Sequence, residues 1–212
     1  MLFFTADTHF GSERTLNLSK RPFASVEEMD NEMIKNWNRV VGPDDNVFHL
    51  GDFGNLDVIS ELNGNIHLCA GNYERLSDRE AGLTIMRRLE FYKKAGFADY
   101  FTPNVCVFPI EKYLEWNGYE TCPTLETLCD TNNMDISKMN IAFMHEPSNH
   151  RKPRSGSHIF NLYGHIHGRQ MVRRYGMDVG VDAHHFFPIS LDDVFFYWNA
   201  ILNFYDHEVF DD

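Results

Sequence analysis

Short apolar runs alternate along the chain with longer amphipathic stretches. A compact apolar run predicts a buried strand, whereas apolar positions recurring every three or four residues predict a helix. Strands that alternate with helices are typical of an α/β protein built on a layered sheet. The predicted strands are 2–5, 47–50, 66–70, 105–110, 141–144, 159–163 and 177–181.

Capping residues and glycines indicate where the helices begin and end. Ser25 followed by Glu28 matches a capping box, and the Gly42-Pro43 pair predicts the end of that helix. A short helix is predicted over 56–62. Residues 77–80 predict the start of a helix that ends at Gly96, and residues 190–193 predict the start of the last helix.

The segment 111–139 follows neither pattern clearly, because it is polar and rich in turn-forming residues. It is too short to form a separate core. We therefore predict one domain over 1–212, with 111–139 as an insertion or lid. Such a segment is either functional and mobile or plain surface decoration, and the pattern alone leaves both readings open.

Charge and composition exclude some classes of protein. The chain has 31 acidic and 19 basic residues and a net charge of −12, which argues against duplex binding through a basic surface. No apolar run approaches the roughly 20 residues that span a bilayer, and the first residues lack a basic signal-peptide region. The four cysteines have no metal-site spacing. We expect a cytoplasmic α/β protein with reduced cysteines and no membrane partner.

Asp, Asn and His residues follow five of the predicted strands. In open α/β sheets ligands bind beyond the carboxyl ends of the strands, so these side chains should meet at one rim. They are Asp7 and His9 after 2–5, Asp52 after 47–50, Asn72 after 66–70, His145 after 141–144, and His165 and His167 after 159–163.

Imidazole and carboxylate ligands without thiolates suit borderline divalent metals such as Mn, Fe, Zn, Co or Ni. Seven ligands exceed the needs of one ion but suit two ions if one carboxylate bridges them. Two ions about 3.5–4 Å apart form the usual clamp for in-line displacement at phosphorus. Any one of these motifs can arise by chance, but their joint occurrence after five strands makes coincidence a poor explanation.

The full set resembles the pattern of the calcineurin-like metallophosphoesterase superfamily, D-x-H, G-D, G-N-H-[DE], H and G-H-x-H. Here the pattern reads Asp7-Thr8-His9, Gly51-Asp52, Gly71-Asn72-Tyr73-Glu74, His145 and Gly164-His165-Ile166-His167. The resemblance extends from residue 5 to about residue 182, and the chain is similar in size to small bacterial and phage members. It implies a four-layer α/β (α+β) fold, a β-sandwich of two mixed sheets flanked by helices. The hydrophobic pattern alone cannot distinguish that fold from a doubly wound sheet.

The resemblance also implies a role for each ligand. Asp7, His9 and His167 would bind one divalent metal, Asp52 would bridge, and Asn72, His145 and His165 would complete the second site. The implied activity is hydrolysis of phosphoesters by a metal-activated water, in which Asp52, Asn72, Tyr73 and His165 would be the catalytic group. Mn²⁺ is the favoured cofactor, and Fe, Zn, Ni, Co or Mg are also compatible.

Tyr73 departs from the family pattern, which often has His at this position to protonate the leaving group or bind phosphate. Tyrosine has an ordinary pKa near 10 and is a weaker proton donor at pH 7. Small members of the family that lack this His often resemble phosphodiesterases. We therefore expect this protein to prefer phosphodiesters over phosphomonoesters as substrates. The next residue, Glu74, either supports the ligands or is a solvated surface acid.

Candidate substrate contacts are Arg14 and Arg75, which lie close to ligand motifs, and Arg151 in the basic run 150–154. Arg169 follows the last ligand motif and could extend the same patch. Ordinary surface arginines are the simpler reading of each. His49, on a predicted buried strand, is interpreted as a core histidine and not as a ligand.

The expected substrate is a small or nucleotide-like phosphoester. A nuclease is the first alternative: the basic run 150–154 favours it and the acidic net charge opposes it. A non-catalytic scaffold with the same fold is the second alternative, and the presence of all seven expected ligands opposes it. The pattern does not indicate an oligomeric state.

Overall fold

The computed structural model describes residues 1–102, 104–118 and 122–206. The strands in these ranges are β1 (Leu2–Thr5), β2 (Asn46–His49), β3 (Asn65–Cys69), β4 (Asp99–Phe101), β5 (Cys106–Pro109), β6 (Met139–Phe143), β7 (His158–Tyr163), β8 (Val172–Arg173), β9 (Gly176–Asp178) and β10 (Ile189–Ser190). The α-helices are α1 (Glu13–Leu18), α2 (Val26–Val40), α3 (Asn72–Glu80), α4 (Ile85–Ala95), α5 (Ile110–Asn117), α6 (Pro123–Asn132) and α7 (Leu191–Phe204).

The strands form two mixed five-stranded sheets, so the described part of the chain has a mixed α/β fold. The first sheet has the order β10-β1-β2-β3-β4, in which β1 to β4 are parallel and β10 is antiparallel to β1. The second sheet has the order β5-β6-β7-β9-β8, with a parallel centre and antiparallel edges. The parallel strands within a sheet bring their carboxyl ends to one edge.

Alternate residues of the strands line different hydrophobic clusters, as the two-residue period of a strand requires. Phe48 on β2 and Phe143 on β6 lie in a cluster shared by both sheets, and their ring centroids are 4.9 Å apart. On the other face of the first sheet, Val47 packs in a second cluster with Trp37 of α2 and Tyr92 of α4. The first sheet is therefore buried on both faces.

Much of the predicted element order is confirmed. Ser25 caps α2 by accepting a hydrogen bond from the backbone N–H of Glu28, and Gly96 ends α4 with φ +119°. The short helix is a 3-10 helix over Leu56–Glu61. The last strand is shorter than predicted, because a 3-10 helix occupies Val181–Ala183. The short elements α1, β4, β8 and β10 were not predicted.

The prediction that residues 77–80 start a helix is wrong, because these residues lie inside or at the end of α3. The Asp78 carboxylate is buried and accepts a hydrogen bond of 2.7 Å from the Tyr100 hydroxyl. The next helix, α4, is capped by Thr84, whose hydroxyl accepts from the backbone N–H of Arg87. The run 77–80 looked like a helix start because polar residues inside a helix can resemble a cap in sequence.

The prediction of an irregular segment over 111–139 is also wrong for the residues described there. Helices α5 and α6 occupy most of it, and their side chains Tyr113, Leu125 and Leu128 are buried in the cluster shared by both sheets. Asn132 at the end of α6 donates a hydrogen bond of 2.8 Å to Asn199 of α7. These helices thus belong to the packed interior.

None of the described helices is long and apolar enough to cross a membrane.

Candidate metal centre

The loops that follow β1 and β2 lie side by side and carry three of the predicted ligands. The backbone N–H of Asp7 donates to the carbonyl of Gly51 at 3.0 Å, and the N–H of His9 donates to the carbonyl of Asp52 at 3.0 Å. These bonds continue the parallel pairing of β1 and β2 beyond the ends of the strands. They hold Asp7, His9 and Asp52 at the carboxyl edge of the first sheet.

Five of the seven predicted ligands have a left-handed backbone conformation. Their φ values are 58° for Asp7, 49° for His9, 59° for Asp52, 73° for His165 and 51° for His167. Residues other than glycine adopt this region rarely, and the strain costs of order 1–3 kcal/mol each. Such conformations persist only where the surroundings determine them, and they concentrate at functional sites.

Asp7, His9 and His167 form the first ligand group, in which one ligand atom of each residue lies within 4.8 Å of the others. Asp7 is fully buried: its Oδ2 accepts a hydrogen bond of 2.6 Å from the backbone N–H of His165. Asp7 Oδ1 and His9 Nε2 are buried and have no hydrogen-bond partner. Buried polar atoms are rarely left unpaired, and a cation bound by both residues would give these two atoms a partner.

Burial shifts the protonation of this group. It raises the pKa of Asp7 to about 7 and lowers the pKa of His9 to about 4. Removing a charge from water is costly, so each side chain favours its neutral form when no opposite charge compensates. A divalent cation would supply that compensation for the Asp7 carboxylate, and a neutral His9 is the form that binds metal.

His167 is oriented by an acid that the sequence prediction did not assign to the site. Its Nδ1 lies 2.8 Å from Oδ2 of Asp182. A hydrogen bond from Nδ1–H to the carboxylate leaves the lone pair of Nε2 free, which is the usual arrangement behind a metal-binding histidine. Asp182 follows β9, which is parallel to β7. Its place after a strand was the signal in the sequence that could have identified it as part of the site.

Arg21 connects Asp182 to the loop that follows β1. Its side chain is fully buried, and its guanidinium donates 2.8 Å and 2.9 Å hydrogen bonds to the two carboxylate oxygens of Asp182. It also donates to the backbone carbonyls of Asp7 at 2.6 Å and Thr8 at 2.8 Å. Sequence reasoning missed Arg21, because a single arginine far from every motif carries no pattern.

The second ligand group contains Asp52, His145 and His165, again with ligand atoms within 4.8 Å of one another. Asn72 completes it: its Oδ1 lies 2.8 Å from His145 Nε2 and 3.0 Å from His165 Nδ1. The Nδ1 atom of His145 lies 2.9 Å from the carbonyl of Leu50, which directs Nε2 towards the group. The structure thus brings all seven predicted ligands together in two groups.

Asp52 faces both groups with the same oxygen. Its Oδ2 lies 3.5 Å from His9 Nε2 and 3.4 Å from His145 Nε2. Its Oδ1 accepts a hydrogen bond of 2.9 Å from the backbone N–H of Tyr73. Burial alone would raise the pKa of Asp52, but the hydrogen bond and charge of His145 outweigh it and lower that pKa. The donor set and its unpaired atoms fit two cations sharing Asp52.

Glu74 supports the second group from behind, so the surface-acid alternative is wrong. The residue is 6% exposed, and its carboxylate accepts three backbone hydrogen bonds, from Gly71 at 2.8 Å and from Asp52 and Phe53 at 2.9 Å each. Burial raises its pKa. Glu74 therefore joins the loop that carries Asp52 to the start of α3, which carries Asn72.

A pocket of about 400 Å³ opens in front of the two groups. Arg14, Tyr73 and Arg169 line it, and the guanidinium of Arg14 donates a hydrogen bond to the Tyr73 hydroxyl. The predicted substrate contacts Arg75 and Arg151 are not among its described lining residues.

The side chain of Arg75 has other partners, and the backbone of Arg151 is bound to β7. The Arg75 guanidinium lies 3.3 Å from a carboxylate oxygen of Glu146 and donates to the carbonyl of Ala70 at 2.9 Å. The backbone of Arg151 pairs with the side chain of Asn161 through hydrogen bonds of 2.8 Å and 2.9 Å.

His49 is the core histidine that the sequence predicts. It is fully buried, its Nε2 lies 3.0 Å from the Thr8 hydroxyl, and its Nδ1 accepts from the backbone N–H of Gly51 at 3.2 Å. Burial lowers its pKa to about 3. Both ring nitrogens have partners, so His49 supports the ligand loops without facing the pocket.

No protein-family model matches the chain. An uncharacterized protein of Methanocaldococcus jannaschii is 34% identical to it over 86 residues, which are 37% of this chain and 49% of that protein. The gene 66 protein of Mycobacterium phage L5 is 35% identical over 81 residues, which are 34% of this chain and 39% of that protein. The matches therefore span half or less of these relatives.

A solved structure of similar fold is the crystal structure of a protein of unknown function from Aquifex aeolicus. It is 18% identical, has a TM-score of 0.57, and aligns over 92% of this chain and 97% of that one. At this identity the likeness concerns the fold alone. It agrees with a mixed α/β architecture over nearly the whole chain.

Proposed function

We propose that this protein is a metal-dependent phosphoesterase of the calcineurin-like type that holds two divalent cations and favours phosphodiesters. The observation that carries the proposal is the placement of Asp52 Oδ2, 3.5 Å from His9 Nε2 and 3.4 Å from His145 Nε2. A carboxylate oxygen that faces both ligand groups is placed to serve two cations, the arrangement that suits a two-metal phosphoesterase site.

The architecture supports the same proposal. The two mixed sheets share one hydrophobic cluster, and α2 and α4 cover the other face of the first sheet. The four-layer metallophosphoesterase fold, a sandwich of two sheets flanked by helices, is our interpretation of this packing. The ligands lie at strand ends, where α/β proteins bind their substrates.

In this proposal each ligand residue has a defined task. Asp7, His9 and His167 hold one cation, Asn72, His145 and His165 hold the other, and Asp52 binds both. When bound, two such ions lower the pKa of a water molecule and stabilise the charge on the non-bridging phosphate oxygens. Asp182 keeps His167 in the correct tautomer through the 2.8 Å contact to its Nδ1.

In this proposal Tyr73 and Arg14 contact the leaving group of the substrate. Tyr73 lines the pocket beside His9, with ring centroids 4.8 Å apart. Its hydroxyl can donate a hydrogen bond to a leaving oxygen, while Arg14 holds that hydroxyl in place. Tyrosine is a weak acid at pH 7, so leaving groups that need little protonation, such as those of activated diesters, should react best.

The test compares hydrolysis of bis(4-nitrophenyl) phosphate and 4-nitrophenyl phosphate by metal-stripped protein after addition of Mn²⁺, Ni²⁺, Zn²⁺ or Mg²⁺. We expect metal-dependent cleavage, faster for the diester. The variant Asp52→Asn should lose more than about 100-fold in rate, since even the outer-shell partners of a metal site are worth 10–100-fold. Its metal content should fall below that of the unaltered protein.

The matched control is Asp57→Asn, which makes the same change at an exposed position and should keep both metal and activity. Folded protein that binds metal but cleaves neither ester would support the scaffold alternative. Cleavage of the monoester in preference to the diester would contradict the proposed preference for phosphodiesters.

A further inference from the structure

One wall of the pocket contains none of the predicted metal ligands. Helix α1 contributes Arg14, Thr15 and Leu18 to this wall, and Ser19 follows at its end. Leu18 is 67% exposed and offers an apolar surface beside the polar centre. At about 400 Å³ the pocket lies within the ordinary range for small-molecule sites and has room beyond a single phosphoryl group.

The charges of this wall contrast with those of the whole chain. Among the described residues that line the pocket, Asp52 is the one acid, and it faces the ligand groups. The other charged lining residues are Arg14 and Arg169, although the chain as a whole carries a net charge of −12. The charged pocket residues outside the ligand groups are therefore cationic, although the chain as a whole is acidic.

Neither guanidinium is neutralised by a carboxylate within the described ranges. Arg14 donates to the uncharged hydroxyl of Tyr73, and the side chain of Arg169 has no ion pair or hydrogen bond among the described residues. Arg21, Arg75 and Arg88, by contrast, each pair with an acid. Guanidinium groups that have no acidic partner bind phosphate well at a pocket, because their N–H donors match the geometry of the phosphate oxygens.

We propose that Arg14 and Arg169 form a subsite for a second phosphoryl group, so that the preferred ligand is a nucleotide-sized diester with another phosphate next to the scissile one. This inference rests on the proposed function for the placement of the first phosphate. The apolar surface of Leu18 accommodates the nucleoside whose sugar joins the two groups. The acidic remainder of the chain disfavours a long nucleic acid.

The test measures binding of thymidine dinucleotides to Mn²⁺-loaded protein by calorimetry. Their phosphinate linkage, in which carbon replaces both bridging oxygens, keeps the negative charge and cannot be hydrolysed. Three ligands are compared: one without a terminal phosphate, one with a 5′-phosphate and one with a 3′-phosphate. We expect one of the terminal phosphates to lower the dissociation constant about tenfold, the effect of roughly one charge-assisted contact.

In the double variant Arg14→Met/Arg169→Met this preference should fall to about twofold or less, with each single variant in between. The matched control is Arg87→Met, which changes an exposed arginine on α4 away from the pocket. Equal dissociation constants for all three ligands in the unaltered protein overturn the inference. A preference that survives in the double variant also overturns it.

The outcomes separate this inference from the proposed function. Hydrolysis of the chromogenic diester without a preference for a terminal phosphate refutes the subsite and leaves the phosphoesterase proposal standing. A preference that depends on both arginines, in protein that hydrolyses no phosphoester, refutes the phosphoesterase proposal and retains the subsite as a binding site.

Discussion

Arg21 links the first ligand group to Asp182, the acid that orients His167. Its guanidinium makes hydrogen bonds to the Asp182 carboxylate and to the backbone carbonyls of Asp7 and Thr8. The ligand Asp7 has a strained φ of 58°. Because strained backbone persists only where its surroundings determine it, the bonds from Arg21 are part of what keeps this loop in place.

The variant Arg21→Met tests this interpretation, since methionine fills similar space without a charge. It leaves Asp182 without its cationic partner at a position where the carboxylate side chain is 9% exposed. Breaking such a pair costs about 3–5 kcal/mol in the free energy of unfolding. Urea denaturation of metal-free protein should show this loss, and calorimetry should show weaker Mn²⁺ binding if the protein remains folded.

The control for Arg21 is Arg39→Met, because Arg39 lies over the ring of Phe187 and away from the ligand loops. It should cost at most about 1 kcal/mol, the value of an exposed cation–π contact. Equal losses in the two variants would contradict a specific role for Arg21.

Gly71 is the residue whose lack of a side chain brings α3 close to Asp52. A Cβ atom at position 71 would lie 2.3 Å from Asp52 Oδ1 and 2.6 Å from the Asp52 backbone nitrogen. The φ of Gly71 is −81°, which any residue adopts, so the requirement comes from the close approach and not from backbone strain.

Gly71→Ala should therefore displace the Asp52 carboxylate and lower metal affinity about 10–100-fold, as other misplaced ligand supports do. The free energy of unfolding should fall by about 1–3 kcal/mol, the usual cost of overpacking. Calorimetric titration with metal measures the loss of metal affinity. Gly42→Ala is the control, since its Cβ would meet the side-chain oxygen of Asp45 at 3.3 Å. Similar metal affinity in both variants would exclude the proposed displacement.

At the scale of elements, the sequence predicts best where a local signal decides the structure. The cap at Ser25 and the glycine end at Gly96 depend on neighbouring residues alone, and both are confirmed. The strand ends also indicated which candidate ligands would come together, because each of these polar residues follows an apolar run. The pairing of these loops into two groups depends on both sheets, and no short pattern encodes it.

The sequence predicts least where tertiary contacts decide. Asp78 lies inside α3 and turns inwards to Tyr100, and Glu74 turns inwards to three backbone N–H groups. Strand β4 has three residues and follows α4 closely, so its apolar run is too short to be distinguished from a loop. Arg21 reaches Asp182 across 161 positions of sequence, a contact that no local pattern indicates.

Helices α5 and α6 offer a test at this scale. If they are part of the packed interior, Leu128→Ala should lower the free energy of unfolding by about 2–5 kcal/mol, because Leu128 is fully buried. Glu126→Ala, at an exposed position of the same helix, should change it by no more than about 0.5 kcal/mol. A small loss for Leu128→Ala, measured by urea denaturation, would instead agree with surface decoration.

At the scale of the whole molecule, the two ligand groups join the two sheets. Loops of the first sheet supply Asp7, His9, Asp52 and Asn72, whereas loops that follow β6 and β7 of the second sheet supply the three remaining histidines, His145, His165 and His167. Each group contains residues from both sheets. Cations bound here would therefore connect the sheets at one edge, and metal binding should be coupled to the stability of the entire fold.

The unfolding temperature should accordingly rise when metal binds. A metal ion at 100 times its dissociation constant stabilises the native state by about 2.7 kcal/mol, which corresponds to roughly 5–10 °C for a chain of this size. Calorimetric scans of Mn²⁺-loaded and chelator-treated protein measure the difference. Asp52→Asn should lose most of it, because Asp52 faces both groups, while Asp57→Asn should retain it.

The rise in unfolding temperature on metal binding should also depend on pH. Protons compete with the cations for the ligand atoms, so metal affinity falls as a ligand gains a proton. Burial raises the pKa of Asp7 to about 7 and lowers the pKa of His9 to about 4. The hydrogen bond with Asp52 outweighs burial and raises the pKa of His145 to about 9. The metal-dependent rise in unfolding temperature should therefore be largest near pH 7.5 and shrink towards pH 5.5, where Asp7 as well as His145 holds a proton in the metal-free protein. A rise that is the same at both pH values, or that is equal in Asp52→Asn and the unaltered protein, would show that metal binds elsewhere and does not connect the sheets through these ligands.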